Sequence, residues 1–86
     1  DEETGDLLKE EFANLRYLIL QEYGVTSYKH GNYEKSVLLF TDMNNIYPDN
    51  YGLDMLRFSY SALNDFNNVD RVINQGLENN LYTDTV

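Results

Sequence analysis

The sequence predicts an all-α fold built from antiparallel helix pairs, and three observations carry that expectation. Apolar residues recur at three- and four-residue spacing through four separate segments, the period of a helix with a buried face. No alternating run of β-branched residues lasts beyond four positions, so strand signals are absent. Turn-forming groups (Gly31-Asn32, Pro48-Asp49-Asn50, Asn64-Asp65 and Asn79-Asn80) punctuate the segments. Connections of two to four residues make consecutive helices antiparallel neighbours.

The first segment opens on Asp1, Glu2, Glu3, Asp6, Glu10 and Glu11 with a single lysine, Lys9. Such a run reads as a solvated face, and acids also suit the positive end of a helix dipole. Thr4 or Asp6 is the expected cap, and the helix is expected from about residue 5 to residue 29. Leu8, Phe12, Leu15, Ile19 and Tyr23 form one apolar stripe; Leu18, Val25 and Tyr28 form a second on another side. Gly24 inside the helix costs roughly 1 kcal/mol relative to alanine, a cost accepted where another backbone comes close.

The second segment has Asn32 as its cap and a stripe of Tyr33, Val37, Phe40, Met43 or Asn44, and Tyr47. Pro48 stops it, because the residue before a proline is pushed out of helical geometry, and Asp49-Asn50 reads as a turn and a new cap. The third segment, Tyr51 to Leu63, is apolar on two sides: Leu53, Leu56, Tyr60 and Leu63 on one, Tyr51, Met55, Phe58 and Ala62 on the other. Such a helix is either sandwiched between neighbours or lines a groove. The fourth carries Phe66, Val69, Val72 or Ile73, and Gly76 or Leu77, and ends at Asn79-Asn80.

The 86 residues make one small domain, and chains of this size bury only about 60–65% of their unfolded surface. Opening on Asp1 and closing on Thr85-Val86, the sequence reads as a piece of something longer. Six Lys and Arg against fifteen Asp and Glu give a net charge of −9, which repels phosphate, so nucleic acid is excluded and anionic membranes are disfavoured. No apolar run approaches the ~20 residues of a membrane span. The absence of cysteine rules out disulfides, thiolate zinc sites and thiol nucleophiles.

Other chemistry is equally sparse. His30, the single histidine, sits at a helix C-terminus, where a cation meets the dipole. Asp42-x-Asn44 and Asp65-x-Asn67 begin like calcium loops. In them Tyr47 and Asp70 occupy the glycine position, and Leu53 and Gly76 the place of the bidentate glutamate. There is no glycine-rich phosphate loop and no paired nucleophile and base. The expectation is a non-enzyme with no metal and no cofactor.

The helix pairs resemble each other. Tyr33 matches Phe66, Ser36 matches Val69, Phe40 matches Ile73 and Met43 matches Gly76, at a constant spacing of 33 residues. The run Tyr23-Gly24, Gly31-Asn32-Tyr33, Ser36, Phe40, Met43 and Pro48 resembles the tetratricopeptide repeat. Gly24 falls at that family's small position on the first helix and Ser36 at the small position opposite it. Gly31 and Tyr33 fall at the turn, Phe40 at the core aromatic and Pro48 at the closing proline. Ser27 departs from the pattern, with Tyr28 following it, and Met43 replaces an alanine. The second repeat is degenerate: Tyr60, Phe66 and Ile73 agree, while Arg57 replaces the small residue and no proline follows.

The resemblance implies a short right-handed solenoid. Residues 1–16 form an acidic lead or cap, 17–49 the first pair, 50–83 the second and 84–86 a truncated tail, with Leu81 onward able to begin a further repeat. Two repeats leave apolar surface unsatisfied at an end, and homo-oligomerisation or docking onto adjoining segments would cover it. The resemblance also implies a concave, protein-binding face lined by the first helix of each pair: Leu18, Gln21, Val25, and Tyr28 or Lys29, then Tyr51, Asp54, Phe58 and Ala62. The lysine and asparagine with which some members clamp a chaperone's C-terminal carboxylate are missing. An apolar, acid-rimmed groove suits an amphipathic helix or an apolar peptide carrying Lys or Arg.

A structural or assembly role is the alternative, including one like that of the type III secretion chaperones. In that case Tyr51, Phe58 and Val25 lie buried, under a second copy or under the acidic N-terminal segment folded back.

Overall fold

The computed structural model describes residues 2–83, so the expected tail at 84–86 lies outside the described residues. The regular elements are α1 (Glu2–Lys29), α2 (Tyr33–Ile46), α3 (Asn50–Ala62) and α4 (Phe66–Glu78), with no strand among the described residues. Each helix packs on its neighbour in sequence, α1 on α2, α2 on α3 and α3 on α4, giving an all-α helical-repeat arrangement.

Helix ends follow the turn chemistry. Gly31, Asn64 and Asn80 take positive φ of 77°, 60° and 60°, the left-handed conformation that stops a helix. The amide after each one donates back to a carbonyl of the helix just ended: Asn32 to Ser27 at 2.8 Å, Asp65 to Tyr60 at 2.9 Å and Leu81 to Gly76 at 2.8 Å. Asn32 and Asp65 then cap α2 and α4. The α2–α3 turn differs. Tyr47 is extended before Pro48, and the Asp49 carboxylate accepts from the Gly52 amide at 2.8 Å to cap α3.

Two expectations about the chain's start are corrected. Thr4 and Asp6 are not caps, because α1 already begins at Glu2. The acidic segment also does not fold back over the groove. It continues α1 in one unbroken helix of 28 residues. At the other end, Leu81 to Thr83 starts no new helix.

The fully enclosed core is Phe40, Met43, Leu53, Leu56 and Val72, with Tyr17, Leu20, Val25 and Val37 partly buried around it. Small residues set the helix separations. A β-carbon on Gly24 would lie 2.8 Å from the Phe40 ring, so α1 and α2 meet as glycine against aromatic. Ser36 bonds the Ser59 hydroxyl on α3 at 2.7 Å. Ser59 spends its own proton on the Met55 carbonyl at 2.7 Å, so Ser36 is the donor between the two hydroxyls. Ser36 and Phe40 are one turn apart on α2, and the longer side chain is the one that spans to α1.

The stripe of Leu8, Phe12, Leu15, Ile19 and Tyr23 is 49–61% exposed. The face of α1 that meets α2 is the smaller-residue side, Tyr17, Leu20, Gly24 and Ser27.

Gly24→Ala tests the α1–α2 contact. At an open helix site this change gains roughly 1 kcal/mol of helix propensity. Against a Phe40 ring with no free space, it is expected to lower stability by about 1–2 kcal/mol, read as a fall in the urea midpoint at unchanged slope.

Candidate functional site

The Phe40 ring joins the two helices that carry the expected groove. It lies against Gly24 of α1 and edge-on to Tyr51 of α3, with ring centroids 6.3 Å apart. Val25, next to Gly24, packs on the same core. One buried aromatic is therefore in contact with both α1, at Gly24, and α3, at Tyr51.

On that surface Leu18, Tyr51, Phe58 and Ala62 are exposed, whereas Gln21, Val25, Tyr28 and Asp54 are half-buried. Tyr51 is 41% and Phe58 46% exposed, so neither is covered by another part of the described chain. Tyr28 is partly engaged: its ring stands edge-on to Tyr33 at 5.3 Å. Lys29, its alternative, is exposed at the helix end.

Asp54 is not a free acid on a rim. Its Oδ1 accepts from Arg57 Nη2 at 2.7 Å and from the Tyr82 hydroxyl at 2.6 Å. The Arg57 guanidinium lies 5.3 Å from the Tyr82 ring centre and 5.6 Å from that of Phe58, within range of cation–π attraction. Its bond to Asp54 holds the guanidinium pKa above its ordinary value, against the opposing effect of burial. Burial first, and then the bond to Asp54, pushes the Tyr82 hydroxyl up to about 12.

Tyr82 reaches Asp54 because the Asn80 turn sends the chain back over α4. The Tyr82 ring rests where a β-carbon on Gly76 would be, 2.1 Å from its Cδ2. Sequence reasoning missed this strap. The signal was present in Asn79-Asn80 followed by the apolar Leu81, the composition of a helix C-terminal turn whose next residue packs back on the helix.

A second tie fixes α1 to the start of α3. The Tyr17 hydroxyl donates to Asp49 Oδ2, while the other oxygen of the same carboxylate caps α3. Burial, followed by the bond to Asp49, raises the Tyr17 pKa to about 12. The Tyr17 ring also contacts Tyr47 at 5.8 Å.

Two clefts lie away from this face. One of about 430 Å³ runs between α1 and α2 and includes Arg16, Ile19 and Asp42; the other, about 600 Å³, is bordered by Arg57, Ile73, Leu77 and Tyr82. Among the described residues no group of three or more His, Asp or Glu is placed to hold a metal ion, and no helix is long and apolar enough to cross a membrane. The chain matches no protein-family model, no curated protein and no solved structure.

The two tyrosines predict an alkaline dependence of stability. A folded pKa near 12 against an ordinary value of 10 means that the protonated phenol is favoured by folding. That contribution is complete below pH 10 and is lost as pH rises towards 12. Tyr17→Phe is expected to lower stability by about 1–2 kcal/mol at pH 7, the worth of a hydrogen bond to a charged group. The gap from the parent protein should narrow between pH 10 and 12, as read by urea unfolding at each pH.

Proposed function

We propose that the α1–α3 face of this tetratricopeptide-like chain is a protein-binding groove for an amphipathic helix or an extended apolar peptide bearing Lys or Arg. The observation that carries the reading is the pair Tyr51 and Phe58, large aromatics left in solvent on one side of α3. Aromatics held on a rigid support contribute most to such interfaces, because little side-chain entropy is lost when they dock. Phe40 beneath Tyr51 and Arg57 beside Phe58 supply that support. Leu18 on the neighbouring helix extends the apolar strip.

Preference for a cationic peptide follows from the net charge of −9, which raises the local concentration of positive ligands and speeds their encounter. Asp54 contributes little to that preference, since Arg57 and Tyr82 already neutralise and occupy it.

A phage-displayed library of random 16-residue peptides provides the test. Selected sequences are expected to combine apolar anchors with Lys or Arg. The double variant Tyr51→Ala, Phe58→Ala should bind them at least tenfold more weakly while keeping its far-UV circular dichroism and a cooperative urea transition, its stability lower by about 1–3 kcal/mol because Tyr51 also packs on Phe40. Equal binding by the folded double variant, or enrichment of acidic peptides, would show that this face is not the groove.

A further inference from the structure

The first helix carries a second apolar surface, separate from the groove. Leu8, Phe12, Leu15 and Ile19 follow the 4-3-4 spacing of a heptad, leucines at one seam position, Phe12 and Ile19 at the other. All four are about half exposed or more. α2 packs on another side of α1, through Leu20 and Gly24, so Leu8, Phe12 and Leu15 face outward, while Ile19, also exposed, borders the cleft between α1 and α2. At 1.5 Å per residue α1 is roughly 42 Å long and α2 roughly 21 Å, so the N-terminal half of α1 extends past its neighbour. A lone helical overhang is marginal in water, and a partner on its apolar face would stabilise it.

The charges beside the seam select the occupant. Glu11 stands on one flank, Lys9 and Arg16 on the other, all exposed. Arg16 also borders the cleft between α1 and α2. In a parallel pair the flank of one helix meets the opposite flank of the other, so Glu11 faces Arg16 of the second copy, twice by symmetry. An antiparallel pair sets like flanks together and opposes Lys9 to Arg16. The acids Asp6 and Glu10 project away from the seam by helical register, which keeps the negative charge off the contact. An isoleucine and leucines at these respective positions favour two strands. The four exposed seam side chains would bury roughly 800 Å² across both copies, the size of a weak, reversible pair rather than of an obligate one. We propose that the chain forms a parallel, two-fold homodimer through the Leu8–Phe12–Leu15–Ile19 seam of α1, leaving the α1–α3 face of each copy open.

Sedimentation equilibrium at roughly 100 µM, the range in which a weak dimer of this size assembles, should give twice the 10.1 kDa of one chain. Phe12→Lys should reduce the mass to that of one chain. Arg16→Glu should weaken the dimer about fivefold and Glu11→Arg added to it should restore affinity, because the exchanged charges face each other only in the parallel arrangement.

Direction is read separately with Gly5→Cys, at the seam position one turn before Leu8, where a β-carbon meets nothing within 4 Å. The chain has no other cysteine. A parallel pair brings the two sulfurs within disulfide reach, and oxidation should yield a covalent dimer on a non-reducing gel. A single-chain mass at 100 µM, a dimer that survives Phe12→Lys, failure of Gly5→Cys to cross-link, or loss of the dimer on Phe58→Ala would each overturn the proposal.

Discussion

The Phe40 ring against Gly24 is the contact on which the remaining geometry depends. The ring is wholly enclosed and touches α1 through a residue with no side chain, so the two helices approach as closely as an aromatic thickness permits. It also forms a T-shaped pair with Tyr51 of α3. Three helices are thus referenced to one side chain. Close-packed interiors transmit such constraints because a ring cannot be displaced without opening a void elsewhere. The serine pair that joins α2 to α3 and the carboxylate of Asp49 that ties Tyr17 to the start of α3 work in the same direction, each replacing bulk with a short polar bond.

The two ends of the molecule solve the same problem differently. A short stack of helix pairs always leaves outer faces without a neighbour. At the C-terminal end the chain closes its own face. Asn80 turns it back, Tyr82 covers Gly76, and Asp54 with Arg57 fastens the tyrosine in place. At the N-terminal end nothing comparable happens, because α1 runs straight and carries its leucines and Phe12 in solvent. The first end is satisfied within the chain, and the second calls for another molecule or another segment.

The acidic balance acts on both readings of function. Spread over a small surface, a charge of −9 opposes association with other acidic chains and favours cationic ones. It does not forbid self-pairing, since the charges that border the α1 seam are mixed in sign, Asp6 and Glu10 lie at other positions of the helix, and the apolar run ends at Ile19, before Glu22 takes the next seam position. Net charge sets the encounter, while local charge order sets register and direction.

Helix number and type, and the boundaries other than the start of α1, were legible in the sequence because they rest on local physics. Pro48, Gly31, Asn64 and Asn80 act through φ and ψ of their own residues, and Asn32, Asp49 and Asp65 cap through bonds spanning three positions. The two apolar stripes of α1 and of α3 were legible as periodicities, yet periodicity is symmetric about the helix axis and cannot say which stripe faces inward. Tertiary structure alone decided that α1 buries the side of Tyr17, Leu20, Gly24 and Ser27 and shows Leu8, Phe12, Leu15 and Ile19. It also decided that Ser36 pairs with Ser59, and that Asp54 is already taken by Tyr82. Each of these depends on which helix arrives alongside, a relation between residues twenty or more positions apart that no local spacing encodes.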